Sequence, residues 1–173
     1  MIWTTPKTWA TGDLVTANDL NTQLSGNFNY LKPRVDLPNN YLNNTSVTNI
    51  VGTSFAQVLG FSAQYTYSQA HRVVMWVRSA YRTSIQYGEL RFTFRITPLG
   101  GSPVLEGHPT YGVFHGISFL QLVYQPLYCS YVAARDAGTY TIEACAATTA
   151  GQGIDIGGPQ HSQFGYFVQP ITA

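Results

Sequence analysis

The residues that could perform chemistry are few, and their spacing does not gather them into a recognisable site. The histidines are His71, His108, His115 and His161. Only His108 and His115 are close in sequence, and they lack the i, i+4 helical spacing of a zinc site. A histidine in a loop or at a strand end is usually solvated, so we expect no metal site.

Nucleophilic catalysis needs an activated nucleophile next to a base, and the sequence offers neither. No Gly-x-Ser-x-Gly motif is present. Cys129 and Cys145 lie in apolar segments of β pattern rather than at a helix N-terminus, where a thiolate is favoured. We therefore expect no catalytic residues and no cofactor.

The acidic residues also fail to suggest an active site. A glycosidase, such as a glycan depolymerase, needs two carboxylates held about 5–9.5 Å apart, and no pair among the eight Asp and Glu is singled out. Residues 151–158 are rich in glycine, but no helix or lysine follows them as a phosphate cradle would require. They are predicted to form a loop between the last two strands. No Asp-x-Asp-x-Asp run suggests calcium.

The composition excludes several classes of partner. Charged residues make up 10% of the chain, against about 25% in an average protein, and the net charge is +1. This gives no electrostatic basis for binding nucleic acid or a membrane surface. A chain with so little charge is expected to cover much of its surface with copies or partners, although a surface rich in Ser, Thr, Asn and Gln is the simpler alternative.

The N-terminus resembles no signal peptide, and no window approaches the ~18 apolar residues of a membrane span. We therefore expect synthesis in a cytoplasm. In that compartment Cys129 and Cys145 are expected to be buried free thiols, with a cross-strand disulfide as the alternative.

A short helix is predicted near the N-terminus. Thr16 is a natural N-cap, and Asp19 can complete a variant of the capping box. The apolar residues that follow at helical spacing are Leu20, Leu24, Phe28 and Leu31, and Pro33 ends the run. So short a helix is unstable alone, so it is expected to pack either on its own domain or on copies of itself as a two-heptad coiled coil.

This segment also carries a family resemblance. The matching positions are Trp9, Gly12, Thr16, Ala17, Leu20, Asn21, Leu24, Asn27 and Leu31. Their pattern is similar to the N-terminal segment of small tailed-bacteriophage structural proteins found in decoration, tail and fibre components. Ser25-Gly26 departs from the Arg-Asp that family members often carry. The resemblance implies a virion protein without saying which one.

The domain layout follows from these segments. Residues 1–32 are predicted to form an extended arm and the short helix, which serve docking or oligomerisation. In the arm, Trp3 and Trp9 either fold back on their own domain or anchor in a neighbour's pocket. Residues 33–49 are rich in Pro and Asn and are predicted to be a linker. Residues 50–173 are predicted to be a β-sandwich domain.

The β prediction rests on a period of two. Residues 89–97 alternate apolar and polar side chains most clearly, and residues 72–78 are predicted to form a more buried strand. The other predicted strands are 55–61, 111–115, 117–125, 128–134, 139–146 and 163–169. Glycine-containing turns separate them, which predicts a mainly β fold, an antiparallel sandwich or jelly roll.

The last strand carries a second resemblance. Residues 162–168, Ser-Gln-Phe-Gly-Tyr-Phe-Val, are similar to the closing strand of trimeric jelly rolls of the tumour-necrosis-factor and C1q-like type. In those folds an aromatic-Gly-aromatic strand lies near the threefold axis. The resemblance implies a homotrimer with Phe164 and Tyr166 near that axis.

Two functions remain open at this point. The first is a non-enzymatic bacteriophage virion protein, a capsid decoration or cement protein or a fibre or adaptor component, whose partners are its own copies and capsid or tail subunits. The second is a receptor- or carbohydrate-binding module of a fibre tip that contacts a host surface glycan. Its candidate stacking residues are Tyr65, Tyr67, Tyr81, Tyr87, Tyr111, Tyr124, Tyr128 and Tyr131.

Overall fold

The computed structural model describes residues 7–8, 10–25, 27, 37–85, 87–118, 123–149, 152–157 and 162–171. The chain divides into two compact units, Met1–Leu37 and Pro38–Ala173. The first contains the helix and the second contains the strands.

The predicted helix start is confirmed in the first unit. The Thr16 hydroxyl accepts a hydrogen bond from the Asp19 N–H at 3.1 Å, and the Asp19 carboxylate accepts one from the Thr16 N–H at 3.3 Å. Helix α1 then runs over Ala17–Leu20 and widens into a π-helical turn over Asn21–Ser25. Hydrogen bonds from Thr16 and then Lys7 lower the pKa of Asp19. The capping box therefore fixes where the helix begins.

The second unit is an antiparallel β-sandwich, which confirms the predicted fold class. In its described residues the strands are β1 (Asn39–Asn44), β2 (Thr48–Ile50), β3 (Ala56–Tyr67), β4 (His71–Thr83), β5 (Gly88–Pro98), β6 (Val104–Leu105), β7 (Phe114–Ser118), β8 (Gln125–Arg135), β9 (Gly138–Thr148), β10 (Ile154–Ile156) and β11 (Ser162–Pro170). Sheet A has the order β1-β11-β4-β10-β2, with β8 on the other edge of β4. Sheet B has the order β3-β9-β5-β6, with β7 also on β5.

The core lies between the two sheets. Alternation along β4 and β5 points every second side chain inward, and Val73, Met75, Phe92 and Phe94 are all fully buried. The Phe164 ring of sheet A stacks on Phe94 of sheet B, with ring centroids 6.2 Å apart. The aromatic residues therefore hold the two sheets together.

A buried histidine ties one end of this core. His71 was expected to be solvated at its strand end, but it is 0% exposed. Its Nδ1 lies 2.8 Å from the Gln69 carbonyl oxygen, so Nδ1–H donates there and Nε2 accepts from the Tyr65 hydroxyl at 2.9 Å. Burial raises the pKa of Tyr65. Tyr67 and Tyr140 pack edge-on against the imidazole, so the histidine is a core residue with both nitrogens satisfied.

Two segments expected to lack regular structure contain strands. The sandwich unit begins at Pro38, so residues 38–49 of the expected linker belong to it and supply β1 and β2. The asparagines of this segment predict a linker. In the structure, however, β1 lies at the edge of sheet A, where polar side chains can face water and backbone pairing with β11 is enough to form a strand. The expected glycine-rich loop likewise contains β10, whose Ile154 and Ile156 fill the core.

Both cysteines are free and buried, which confirms the prediction of free thiols over a disulfide. Cys129 lies on β8 of sheet A and Cys145 on β9 of sheet B. Burial raises the pKa of Cys129 to about 12 and that of Cys145 to about 11. Since the thiolate is the reactive form, neither thiol is activated.

We expect neither cysteine to react with a thiol reagent in the folded protein at mildly alkaline pH, and both to react after unfolding in urea. A colorimetric thiol assay with and without urea measures this directly. Rapid labelling of the native protein would contradict the burial of the two side chains.

Candidate functional site

The outer faces of the two sheets differ sharply in chemistry. The outward residues of sheet B form cross-strand rows of hydroxyl, amide and charged groups, such as Ser62 with Glu143 and Gln64 with Thr141. Arg95 donates from Nε to the Glu143 carboxylate at 2.7 Å. Polar side chains therefore dominate the centre of this face, and exposed apolar side chains, Leu105 and Ile117, lie on its edge strands.

The outer face of sheet A is instead apolar at its centre, with Arg72 and Arg78 on either side of that centre along β4. Its central positions, which we call the apolar face, are Tyr41, Val74, Trp76, Val132 and Phe167. One cross-strand row joins Phe167, Val74 and Val132, and the next joins Tyr41, Trp76 and Ser130 through Gly165. Tyr41 is 48% exposed, Val132 52% and Phe167 39%. Contiguous apolar side chains on an outer face are typical of a surface that another molecule covers.

Gly165 allows the two aromatic residues of this face to meet. The Tyr41 and Trp76 rings lie 5.8 Å apart, on strands that flank β11. A Cβ atom at position 165 would lie 2.4 Å from Trp76 Cε2, which no real side chain tolerates. The glycine of the aromatic-Gly-aromatic motif is therefore required because the Trp76 indole lies across it.

The predicted interaction residues of this strand point the other way. Phe164 is 0% exposed and Tyr166 is 5% exposed, because strand alternation turns both into the sandwich. Tyr166 packs on Tyr65 at 5.4 Å. Both side chains belong to the protein's own core, and the outward residues between and beside them are Gly165 and Phe167.

The predicted interaction residues of the N-terminal unit are only partly described. Leu20 is 47% exposed and Leu24 is 54% exposed, so both offer apolar surface. The remaining four, Trp3, Trp9, Phe28 and Leu31, lie outside the described residues.

The tyrosines proposed for sugar stacking do not form one surface. Tyr65, Tyr67 and Tyr81 are buried in the core and cannot reach a ligand. By contrast, Tyr111 is 49% exposed and Tyr128 is 66% exposed, in the β6–β7 connection and on β8.

Glu89 anchors a polar corner that resembles a site but is fully engaged. One carboxylate oxygen lies 3.0 Å from His115 Nε2, and the other accepts from the Thr149 hydroxyl at 2.6 Å. The bond from Thr149 is the largest cause that lowers the pKa of Glu89. Tyr111 packs on His108 and His115 at 4.9 and 5.1 Å. Because both oxygens are occupied, the carboxylate ties β5, β7 and the end of β9 together.

Asp155 and Glu106 of the sandwich unit are also paired with cations. Arg82 donates to Asp155 at 2.9 Å, and Arg135 donates to Glu106. Within the described ranges, no group of three or more His, Cys, Asp or Glu is placed to hold a metal ion. No described helix has the length and hydropathy to cross a membrane.

Comparison with known proteins gives low similarities. No protein-family model and no curated protein matches the chain. It is similar in structure to Eiger, a TNF from S. frugiperda, with a TM-score of 0.45 and 13% identity over 79% of this chain and 94% of that one. The infectious bursal disease virus structure of the Gx strain has a TM-score of 0.41 and 8% identity over 80% of this chain and 37% of that one.

A bacteriophage CBA120 structure, the enzymatically active domain of tailspike protein 4, has a TM-score of 0.23 and 12% identity over 75% of this chain and 19% of that one. At these scores and identities, no function passes from these proteins to the chain.

Proposed function

We propose that the chain is a non-enzymatic structural protein of a bacteriophage virion, a decoration, fibre or adaptor subunit, which forms a homotrimer through the apolar face of sheet A. The observation that supports this proposal most is the contrast between the two outer faces. The centre of sheet B carries outward polar groups that pair with each other, such as Arg95 with Glu143, whereas the centre of sheet A exposes Tyr41, Val132 and Phe167. A chain that covers this face with another copy needs fewer charged residues on its surface, which is consistent with the charged fraction of 10%.

The energetics of this contact are favourable if the whole face is covered. Apolar burial contributes roughly 25 cal/mol per Å², and a stable interface covers about 800 Å² on each partner. Tyr and Trp are the residues enriched among interface anchors, and Tyr41 and Trp76 lie side by side at the centre of the face.

The charges beside the face favour a ring over a twofold dimer. Arg72 and Arg78 flank Trp76 on the same side of β4, and neither has a carboxylate partner among the described residues. On a twofold axis this patch would meet itself and bring arginines together. A cyclic contact joins two different patches and avoids that repulsion.

The N-terminal segment supports the second half of the proposal, attachment to the particle. Residues 9–31 resemble the tailed-bacteriophage segment described above, and Leu20 and Leu24 offer exposed apolar surface on the helix. Residues 1–32 would bind a capsid or tail subunit, and repetition over many sites would strengthen modest contacts through avidity.

Deleting residues 1–15 tests the attachment. We expect the truncated chain to keep its folded sandwich, since Pro38–Ala173 forms its own unit, but to lose binding to particles of the virus that encodes it. Co-sedimentation with particles that lack the chain measures the loss. A second variant, Leu20→Asn with Leu24→Asn, leaves the arm in place and tests the helix separately. Full occupancy by the truncated chain would contradict the role of the arm.

A further inference from the structure

A groove lies on the outer face of sheet A, at the far end from Arg72. Its volume is about 780 Å³, within the range of small-molecule sites. The floor is the cross-strand pair of Ala80 and Pro126, which have short side chains. The groove exists because longer side chains rise on either side of this pair.

One wall of the groove is the cross-strand pair of Arg78 and Tyr128. Tyr128 is 66% exposed, so a face of its ring is open to a ligand. Arg78 has no carboxylate partner among the residues that the structure describes, although most arginines of the sandwich have one. The guanidinium is therefore available to an anion from outside.

The other wall is Tyr124, whose ring packs against the guanidinium of Arg82. The Arg82 guanidinium carbon lies 4.9 Å from the centre of the Tyr124 ring, and the Asp155 carboxylate accepts a hydrogen bond from Arg82. This arginine is already neutralised, so Arg78 is the one that can attract a negative charge. The groove thus has the unpaired guanidinium of Arg78 and the Tyr128 ring at one end, and the Tyr124 ring at the other.

We propose that this groove binds a carboxylated sugar, such as a sialic or uronic acid unit of a surface glycan. Arg78 pairs with the sugar carboxylate, for which its planar guanidinium provides two parallel donors. The rings of Tyr124 and Tyr128 pack against the apolar faces of the sugar units. The groove lies outside the five residues of the apolar face, but Arg78 borders both surfaces, so binding in the groove requires that the proposed homotrimer leaves Arg78 open to solvent.

The groove favours a sugar over an acidic peptide side chain for a geometric reason. A single carboxylate on a flexible chain would use Arg78 alone and leave most of the 780 Å³ empty. A ring that carries the carboxylate directly, with a second ring beside it, fills the space between Tyr124 and Tyr128 and covers both aromatic walls.

Calorimetric titration of the full chain tests this proposal with sialyllactose and with a disaccharide that contains glucuronic acid. We expect at least one of them to bind, and neutral lactose to bind at least about tenfold more weakly. Arg78→Gln should weaken binding of the acidic sugar by about tenfold or more. Tyr128→Ala should also weaken it, because it removes one stacking wall.

The matched control is Arg72→Gln, which removes an equally unpaired arginine from the same face of the same strand. It should bind the acidic sugar as the unaltered chain does. The proposal is overturned if neither acidic sugar binds, or if both arginine variants bind equally well. Equal binding of N-acetylglutamate would also overturn it, since that result means carboxylate capture without recognition of a sugar ring. The mass of the assembly in solution, measured on the same samples, reports separately on the homotrimer.

Discussion

Replacing Val132 by lysine is expected to convert the proposed homotrimer into monomers without unfolding the chain. Val132 is 52% exposed in the single chain, so the sandwich itself tolerates a long charged side chain there. In an assembly that covers the apolar face, the new ammonium would be buried among Val74 and Phe167. The charge on the same face nearest to it along β4 is Arg72, which repels it. An unpaired buried charge costs several kcal/mol, which corresponds to a loss of about a hundredfold or more in association.

Sedimentation velocity of the unaltered chain and of Val132→Lys, at equal concentration, measures this change. The matched control is Gln64→Lys, which places the same charge on the outer face of sheet B, where polar residues already face water. That variant should sediment like the unaltered chain. Equal sedimentation of all three proteins would remove the apolar face from the interface.

The second large effect is expected on stability. Replacing His71 by alanine should lower the free energy of unfolding by about 3–5 kcal/mol. The change removes a fully buried ring packed against Tyr67 and Tyr140, and it leaves the Tyr65 hydroxyl and the Gln69 carbonyl without their partner. For a chain of this size the melting temperature should fall by about 10 °C.

Urea unfolding followed by circular dichroism measures the loss. Tyr65→Phe keeps the ring and removes only the hydrogen bond, so it should cost a smaller amount, about 1–3 kcal/mol. His108→Ala, on an exposed connection, should cost less than His71→Ala. A loss within about 0.5 kcal/mol for His71→Ala would mean that the imidazole network does not support the core.

The parts of the fold that could be predicted depend on local rules. The helix start was predictable because Thr16 and Asp19 satisfy each other within one turn. The strand at residues 89–97 was predictable because one face is apolar and the other polar. Strand β1 was not, since its asparagines carry no such pattern and its place depends on pairing between Asn39 and Phe167, far away in sequence.

The candidate site was harder to predict for a related reason. Residues 72–78 contain an apolar run, and alternation alone cannot tell an outward Trp76 from an inward Met75. Only the register against β11 shows that Trp76 lies outside, over Gly165. The same register turns Phe164 inward, so the two aromatic side chains predicted to interact from the closing strand lie in the core of the single chain.

We propose above that the chain associates with itself through the apolar face of sheet A. Light scattering of the unaltered full chain over a range of concentrations tests it most directly. We expect a mass three times the 19.1 kDa of the single chain. A mass of 19.1 kDa at the highest concentration would contradict it, and the exposed aromatic residues of sheet A would then require a partner other than the chain itself.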